Sequence, residues 1–169
     1  MSYIRGGDEL KHDVIEELFL KYYNDALFYT LSLTKNNSLS EEIVSDAFYT
    51  ALKTSTEEIN NFKAWILKVC RNLYFNSLRK SNRLKELDEN ISDKSEEICK
   101  KIIRKEEYQT LYKAISLLNS SHKEVIILYY FEDLSIKDIA LIIGKNETVI
   151  KVTLFRAREA LRKILETKM

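Results

Sequence analysis

Cations, aromatic rings and amide side chains alternate along residues 62–80, whose sequence is FKAWILKVCRNLYFNSLRK. This segment contains five Lys or Arg residues and no acidic residue. Lys and Arg neutralise a phosphate backbone and release its counterions, and an exposed ring lets an unpaired base stack for about 1–3 kcal/mol. The combination favours binding of an opened nucleic-acid strand. The alternative is that the rings are core residues surrounded by solvated cations.

A second basic segment, residues 151–163, contains five basic residues and one Glu. It lies in a longer helix that follows a short helix and a turn containing Gly144, the order typical of a helix-turn-helix. Such a helix reads base edges in the major groove while its cations hold the backbone. The alternative is a solvated amphipathic helix. Five residues are predicted on the duplex-reading face: Thr148, Lys151, Val152, Phe155 and Arg156.

Other kinds of chemistry are not supported by the sequence. Cys70 and Cys99 do not form a CxxC pair and His12 and His122 are isolated, so we expect neither a metal site nor a cofactor. We expect no enzymatic activity, because no phosphate-cradling Gly loop or nucleophile–base pair is recognisable. No apolar run is long enough to span a membrane and the N-terminus lacks a signal-peptide core, which predicts a cytoplasmic protein.

Helices must position both basic faces. The 169 residues include no Pro and only 3 Gly, and this scarcity of turn residues favours an all-α fold. Helical spacing predicts a first helix over residues 13–33, a second opened by the capping box Ser38–Glu41, and a third over 62–80. The predicted buried stripes are Val14, Leu18, Tyr22, Leu27 and Leu31 in the first, Ile43, Val44, Ala47, Phe48 and Leu52 in the second, and Phe62, Ile66, Val69, Cys70 and Leu73 in the third.

The C-terminal half predicts four more helices. One runs from Ile98 to Asn119, and capping boxes at Ser121–Glu124 and Ser135–Asp138 open the next two. Gly144 ends the helix that Ser135–Asp138 opens, and Asn146 caps the last helix. Residues 86–97 contain six acids and one Lys, which indicates a linker. We therefore predict two small helical domains, residues 8–80 and 107–167, joined by a linker over 81–106.

Three segments carry a resemblance to a known family: SEEIVSDAFYTAL, FKAWILKVCRNLYFNSLRK, and the stretch from LLNSSHKEVIILYYFEDLSIKDIALIIG to RAREALRKIL. In this order and spacing they resemble sigma-70 family RNA polymerase sigma factors of the small extracytoplasmic function (ECF) type. The resemblance covers residues 16–165. It implies an alternative sigma factor whose region 2 melts the minus-ten promoter element and whose region 4 helix-turn-helix reads the minus-thirty-five element.

The resemblance also assigns partners and residues. The implied partners are the β′ coiled coil and β flap of core RNA polymerase and promoter DNA, with an anti-sigma factor as a further candidate partner. The Thr54–Asn61 loop would hold a flipped base. The minus-ten residues would be Trp65, Lys68, Arg71, Asn72, Asn76 and Arg79, and the polymerase-binding residues Glu42, Asp46 and Phe48.

The sequence departs from the family pattern in three places. Ser45 replaces a usual Gln in the docking segment, and Val152 and Thr153 replace Ser and Arg in the recognition helix. Asn119 and Ser120 stand where a Pro is common. The alternative function is a helix-turn-helix transcriptional regulator that acts without being a polymerase subunit. That alternative predicts tight duplex binding without polymerase and gives no role to the basic face between Trp65 and Arg79.

Overall fold

The computed structural model describes residues 6–54, 59–83 and 106–168, and these ranges are helical without a strand. The all-α prediction is therefore confirmed. The helices are α1 (Gly6–Thr34), α2 (Asn37–Lys53), α3 (Phe62–Arg83), α4 (Glu106–Ser116), α5 (Ser120–Ile126), α6 (Ile136–Ile143) and α7 (Glu147–Lys168). A π-helical turn, Ile127–Phe131, continues α5.

The first three helices pack against one another as a bundle. The apolar stripe predicted for α2 is buried over four of its five positions, and α3 buries Ile66, Leu67 and Cys70 completely. The interpretation of Cys70 as a small buried hydrophobic residue is thus confirmed. Because the buried face of α3 points into this bundle, its basic face points away from it.

The stripe predicted for α1 is wrong at its N-terminal end. Val14 is 45% exposed, whereas its neighbour Ile15 is buried. Further along α1, every residue from 26 to 32 is buried. This happens because α2 and α3 cover one side of the helix while α5 approaches another. A single periodic stripe cannot describe a helix that is covered on more than one side.

Two predicted helix caps are also wrong. Asn36 rather than Ser38 caps α2, with its Oδ1 accepting from the Leu39 amide at 3.0 Å. Asn119 rather than Ser121 caps α5, accepting from the His122 amide at 2.8 Å. Both Asn residues have the extended backbone that an N-cap requires, and Asn caps a helix as well as Ser does.

The helix-turn-helix is formed by α6 and α7, as predicted. Ser135 Oγ accepts from the Asp138 amide at 3.1 Å, and Asn146 Oδ1 accepts from the Val149 amide at 2.9 Å. Between the two helices, Gly144 adopts a left-handed backbone with φ 77° and its amide donates to the Ala140 carbonyl. The buried residues of α7 form one stripe: Ile150, Leu154 and Ala157.

The π-helical turn was not predicted. The Glu132 amide donates to the Ile127 carbonyl, five residues earlier, at 3.0 Å. Two residues after the turn, Asp133 adopts a left-handed φ of 54°, which its short polar side chain tolerates. The wider turn leaves Ile127 buried and places the Phe131 ring against α1.

The two domains share one contiguous set of buried side chains. The Phe28 ring of α1 contacts two rings of the second domain, with centroid distances of 5.3 Å to Phe131 and 5.5 Å to Tyr112. α3 packs against α6 as well. The second domain therefore covers part of the first domain instead of standing apart from it.

Several predictions lie wholly or partly outside the described residues: the acidic segment 86–97, Cys99, the start of a helix at Ile98, and positions 55–58 of the base-holding loop. Across residues 6–54, 59–83 and 106–168, no helix is long and apolar enough to cross a membrane. In the same ranges no cluster of His, Cys, Asp or Glu side chains is arranged to hold a metal ion.

Candidate nucleic-acid interface

One face of α3 brings together five of the six predicted minus-ten residues. Lys68, Asn72, Asn76 and Arg79 are exposed, and Arg71 is partly buried. The Phe75 ring lies beneath the Arg71 guanidinium at 4.5 Å. Four of these polar residues and Phe75 line an open groove of about 520 Å³: Arg71, Asn72, Phe75, Asn76 and Arg79. A groove with cations, amides and a ring has the chemistry that an unpaired strand requires.

Arg71 is not free in this arrangement. Its Nε donates to Glu124 Oε1 at 2.7 Å, and Nη2 lies 3.4 Å from Oε2. Burial by itself would lower the pKa of Arg71, but the hydrogen bond and charge of Glu124 outweigh burial and raise it. Tyr29 also donates to Glu124 Oε1, at 2.6 Å, and burial together with the Glu124 charge raises the pKa of Tyr29. Glu124 thus ties α1 and α3 to the second domain.

A cleft of about 490 Å³ lies between the end of the base-holding loop and α6. Trp65, partly buried, lines the cleft together with Lys68 from the first domain. Lys137 and Leu141 of α6 lie on the opposite side. At its edge, Asn61 Nδ2 donates to Asp138 Oδ2 at 3.0 Å. The predicted base-capturing surface therefore faces the second domain.

A second charged cluster joins the domains beside this cleft. Lys63 Nζ donates to the Glu132 carbonyl at 2.6 Å and lies 3.5 Å from Glu132 Oε2 and 3.9 Å from Asp25 Oδ2. Glu132 is only 1% exposed, and its Oε2 has no hydrogen-bond donor. Burial, reinforced by the Asp25 charge and opposed by Lys63, raises the pKa of Glu132 to about 8. Glu132 is therefore a carboxyl group that takes up a proton more readily than an exposed one, because burial disfavours its charged form.

All five predicted duplex-reading residues are exposed on α7. Opposite the buried stripe the surface is apolar: Phe155 is 63% exposed and Val152 43%. Helical geometry puts Lys151 and Arg156 on the two sides of this apolar centre, roughly 140° apart around the helix. The face therefore has an uncharged centre between two cations.

The predicted polymerase-binding residues occupy different environments on α2. Glu42 and Asp46 are exposed, whereas Phe48 is buried and packs edge-to-face on Phe19 at 4.9 Å. Phe48 thus supports this surface from inside. Phe19 is itself 37% exposed, so an apolar ring does reach solvent beside the acidic residues.

Comparison with known proteins matches residues 10–84 to sigma-70 region 2 and residues 108–161 to sigma-70, region 4. The RNA polymerase sigma factor SigV of Bacillus subtilis is 32% identical over 142 residues, which cover 80% of this chain and 82% of SigV. The ECF RNA polymerase sigma factor SigM of the same organism is 25% identical over 154 residues, covering 88% of this chain and 93% of SigM.

Two solved structures share the fold. The sigma factor RpoE of Bartonella quintana, crystallised with the anti-sigma factor NepR, superposes with a TM-score of 0.67 at 22% identity, covering 91% of this chain and 98% of RpoE. CnrH, in complex with the cytosolic domain of CnrY, superposes with a TM-score of 0.64 at 16% identity, covering 96% of this chain and 94% of CnrH.

The fold and the two basic helical faces define a two-domain nucleic-acid-binding protein. The matched relatives show, further, that the chain belongs to the sigma-70 family of RNA polymerase sigma factors, in the ECF class. It is an alternative sigma factor that directs promoter-specific transcription initiation, so the resemblance of its three motifs is confirmed. The independent helix-turn-helix regulator is not favoured. Members of the family are regulatory subunits rather than catalysts.

Sequence reasoning missed the groups that contact the α3 face from the second domain. Glu124 was interpreted as part of a helix cap, and Glu132 was given no role. Tyr29 was not singled out. No local pattern identifies these residues, because each meets its partner across 53 to 95 positions of the chain.

Proposed function

We propose that α3 binds the opened minus-ten strand, that α7 reads the minus-thirty-five duplex, and that core RNA polymerase supplies the chemistry of initiation. The observation that carries this proposal is the groove on α3, lined by cations, amides and a ring. The ring among these polar groups favours an unpaired strand over a duplex, since paired bases offer no free stacking face. The domain boundaries that we propose are residues 8–80 and 107–167, with 81–106 between them.

At the minus-ten element, Lys68, Arg71 and Arg79 would hold the backbone of the opened strand. Asn72 and Asn76 would donate to and accept from exposed base edges, since their amides can do both. Trp65, which lines the neighbouring cleft, would stack at the upstream fork. Opening each base costs a few kcal/mol, and these contacts offset part of that free energy.

At the minus-thirty-five element, Lys151 and Arg156 would contact phosphates on the two sides of the major groove. Between them, Val152 and Phe155 have no polar group with which to read a base by hydrogen bonds. The apolar group that the major groove offers is the thymine methyl. We therefore infer that this pair selects A·T base pairs through thymine methyls, and that Thr148 contributes a hydroxyl beside them.

Docking on polymerase would use two surfaces. Glu42 and Asp46 on α2 would meet the β′ coiled coil, with Phe48 holding the helix in place from inside. On the second domain, an apolar groove of about 320 Å³ runs between α4 and α7 and has Arg158 and Arg162 at its rim. This groove offers the apolar surface that a contact with the β flap requires.

The chain would thus act in the cytoplasm, beside the polymerase and the genome, and perform no covalent chemistry of its own. The net charge of +1 fits weak DNA binding by the free protein. Tethering on polymerase would raise the effective concentration of both DNA faces at the promoter. An anti-sigma factor is a further proposed partner. RpoE was crystallised with the anti-sigma factor NepR, and CnrH is in complex with the cytosolic domain of CnrY.

The test is reconstitution. The purified chain would be mixed with core RNA polymerase and a template pool randomised at the minus-ten and minus-thirty-five positions, and run-off transcripts would be sequenced. We expect binding to core and enrichment of a two-part promoter. A chain that neither binds core nor directs initiation from any member of the pool would contradict the proposal.

A further inference from the structure

Acidic groups of the second domain meet one short segment of the first domain, residues 61–71. Each comes from a different element: α5, the end of the π-helical turn, and α6. This segment was predicted to bind DNA and contains no acidic residue of its own. Three polar contacts join these acidic groups, or their residues, to that segment: Glu124 with Arg71, Glu132 with Lys63, and Asp138 with Asn61.

The Glu124 carboxylate holds Arg71 in the way that a phosphate would. Both oxygens face the guanidinium, at 2.7 Å and 3.4 Å, and an arginine fork binds carboxylate and phosphate with the same geometry. The Phe75 ring under the guanidinium belongs to the first domain and stays in place whichever anion is bound. Glu124 and a DNA phosphate therefore compete for one site.

Closure also covers the surface proposed for the flipped base. The cleft beside Trp65 is bounded by α6, whose Asp138 accepts from Asn61 at the edge. An opened strand passing from Arg71 towards Trp65 would meet α6 along this path. The closed arrangement and the bound strand are thus mutually exclusive on two parts of the same face.

We propose that the interface is an intramolecular latch in which Glu124 occupies the promoter-strand site on Arg71 and keeps the free protein unable to bind an opened strand. The latch rests on the proposed function, because it assumes that α3 binds that strand. It opens when polymerase draws the two domains apart, and DNA phosphate then replaces Glu124.

Two features keep the latch reversible. Replacing one anion on Arg71 by another leaves no buried charge unpaired, so opening in the presence of DNA avoids the penalty of a broken buried pair. Lys123 is buried in the structure, and burial, with the charge of Lys35 from the first domain, lowers the pKa of Lys123. That unfavourable group opposes the three favourable contacts.

Tyr29 is the positioning residue of the latch. It is fully buried in α1 and donates to the same Glu124 oxygen that accepts from Arg71. The phenol therefore orients the carboxylate towards the guanidinium without touching the proposed DNA site.

The experiment measures binding of a fluorescent single-stranded minus-ten oligonucleotide to the full-length protein without polymerase. Glu124→Gln removes the charge and keeps the shape. We expect it to bind about fivefold more tightly or better than the wild type, within the usual range of coupling between two sites. Small-angle scattering should show a larger radius of gyration for this variant.

The matched control is Glu17→Gln, which changes net charge equally at an exposed position of α1. It corrects for the general effect of removing one negative charge on DNA affinity. Equal affinities for Glu124→Gln and Glu17→Gln would overturn the latch. Should Glu124→Gln fold poorly, Tyr29→Phe is the second variant, because it removes only a hydroxyl. We expect it to raise the affinity for the oligonucleotide by a smaller factor. An unchanged affinity of Tyr29→Phe would also overturn the latch.

Failure of the latch and failure of the proposed function give different results. With polymerase, wild-type protein should initiate from the selected promoter whether or not a latch exists. If the wild type initiates but both variants bind the oligonucleotide no more tightly than the wild type, the latch is contradicted and the proposed function is not. A wild type that never initiates with core polymerase removes the proposed function.

Discussion

Arg71 of α3 and Glu124 of α5 form an ion pair of 2.7 Å between two domains, and Arg71 also lines the proposed DNA groove. The side chains are 18% and 10% exposed, so the pair is substantially withdrawn from water. Losing one member of such a pair leaves the other charge buried, which is more destabilising than losing an exposed pair. The same contact therefore links the stability of the closed arrangement to the availability of the DNA-binding face.

Removing the Phe75 ring should weaken promoter opening more than promoter recognition. Phe75→Ala deletes a stacking surface for an unpaired base, which corresponds to about 1–3 kcal/mol or roughly 5- to 150-fold in open-complex formation on duplex promoter. Permanganate footprinting of the holoenzyme complex measures the opening. Phe75→Tyr keeps the ring and serves as the control, with near wild-type opening. Full opening by Phe75→Ala would show that the ring does not stack on the strand.

Thymine methyls in the minus-thirty-five element should contribute to recognition by α7. Replacing thymine by uracil at the selected positions removes only the methyl group, and we expect about a 5- to 10-fold lower initiation rate, near the lower end of a base-specific contact. Run-off transcription on synthetic templates measures it. A template with uracil placed in the spacer is the control. Initiation that is indifferent to uracil in the element would contradict reading by Val152 and Phe155.

Lys151 and Arg156, on either side of that apolar centre, should affect the strength of initiation but not the preference for one promoter over another. Lys151→Ala and Arg156→Ala each remove a proposed phosphate contact, so initiation should fall by a similar factor on all promoters of the pool and the salt dependence should become shallower. Sequencing of transcripts across several salt concentrations checks this. A changed order of preferred promoters would instead place these side chains on base edges.

The closed arrangement should weaken as pH rises towards 8. Glu132 faces Asp25 of α1 and Lys63 and Cys70 of α3, and its pKa is raised from an ordinary 4.5 to about 8. Between pH 4.5 and about pH 8, Glu132 is protonated in the closed protein and ionised in the open protein. The closed arrangement is therefore most stable at the low-pH end of this range. Each pH unit in this window weakens it by at most about 1.4 kcal/mol.

Small-angle scattering of the free protein at pH 6 and pH 8.5 tests this linkage, and the radius of gyration should be larger at the higher pH. Glu132→Gln has no titrating group at this position and should show a flatter dependence. The difference between the two proteins isolates Glu132 from other groups that titrate in the same range. Equal slopes for wild type and variant would exclude Glu132 as the source.

Gly144→Ala should destabilise the helix-turn-helix through the backbone alone. A Cβ at this position meets nothing within 4 Å, so no clash is added, but φ stays at 77°. The left-handed conformation should cost about 1–2 kcal/mol of unfolding free energy for Ala. Urea denaturation measures it, and Gly144→Asn, which tolerates this conformation better, should lose less. Unchanged stability of the Ala variant would mean that the turn relaxes.

The second domain shows how far local patterns go. Ser135, Gly144 and Asn146 act within three or four residues of their partners, so their types and spacing were enough to predict the turn and the start of α7. Where two residues of equal capping ability stood close together, as with Asn119 and Ser121, spacing alone selected the wrong one.

The sequence by itself determined the all-helical class, the two basic faces and the family, because these depend on residue types at short, regular spacing. Only the tertiary structure decided that α1 is covered on more than one side and that Arg71 meets Glu124. Such contacts depend on how two separately patterned domains dock, and a periodic signal within one helix carries no information about a partner more than fifty residues away.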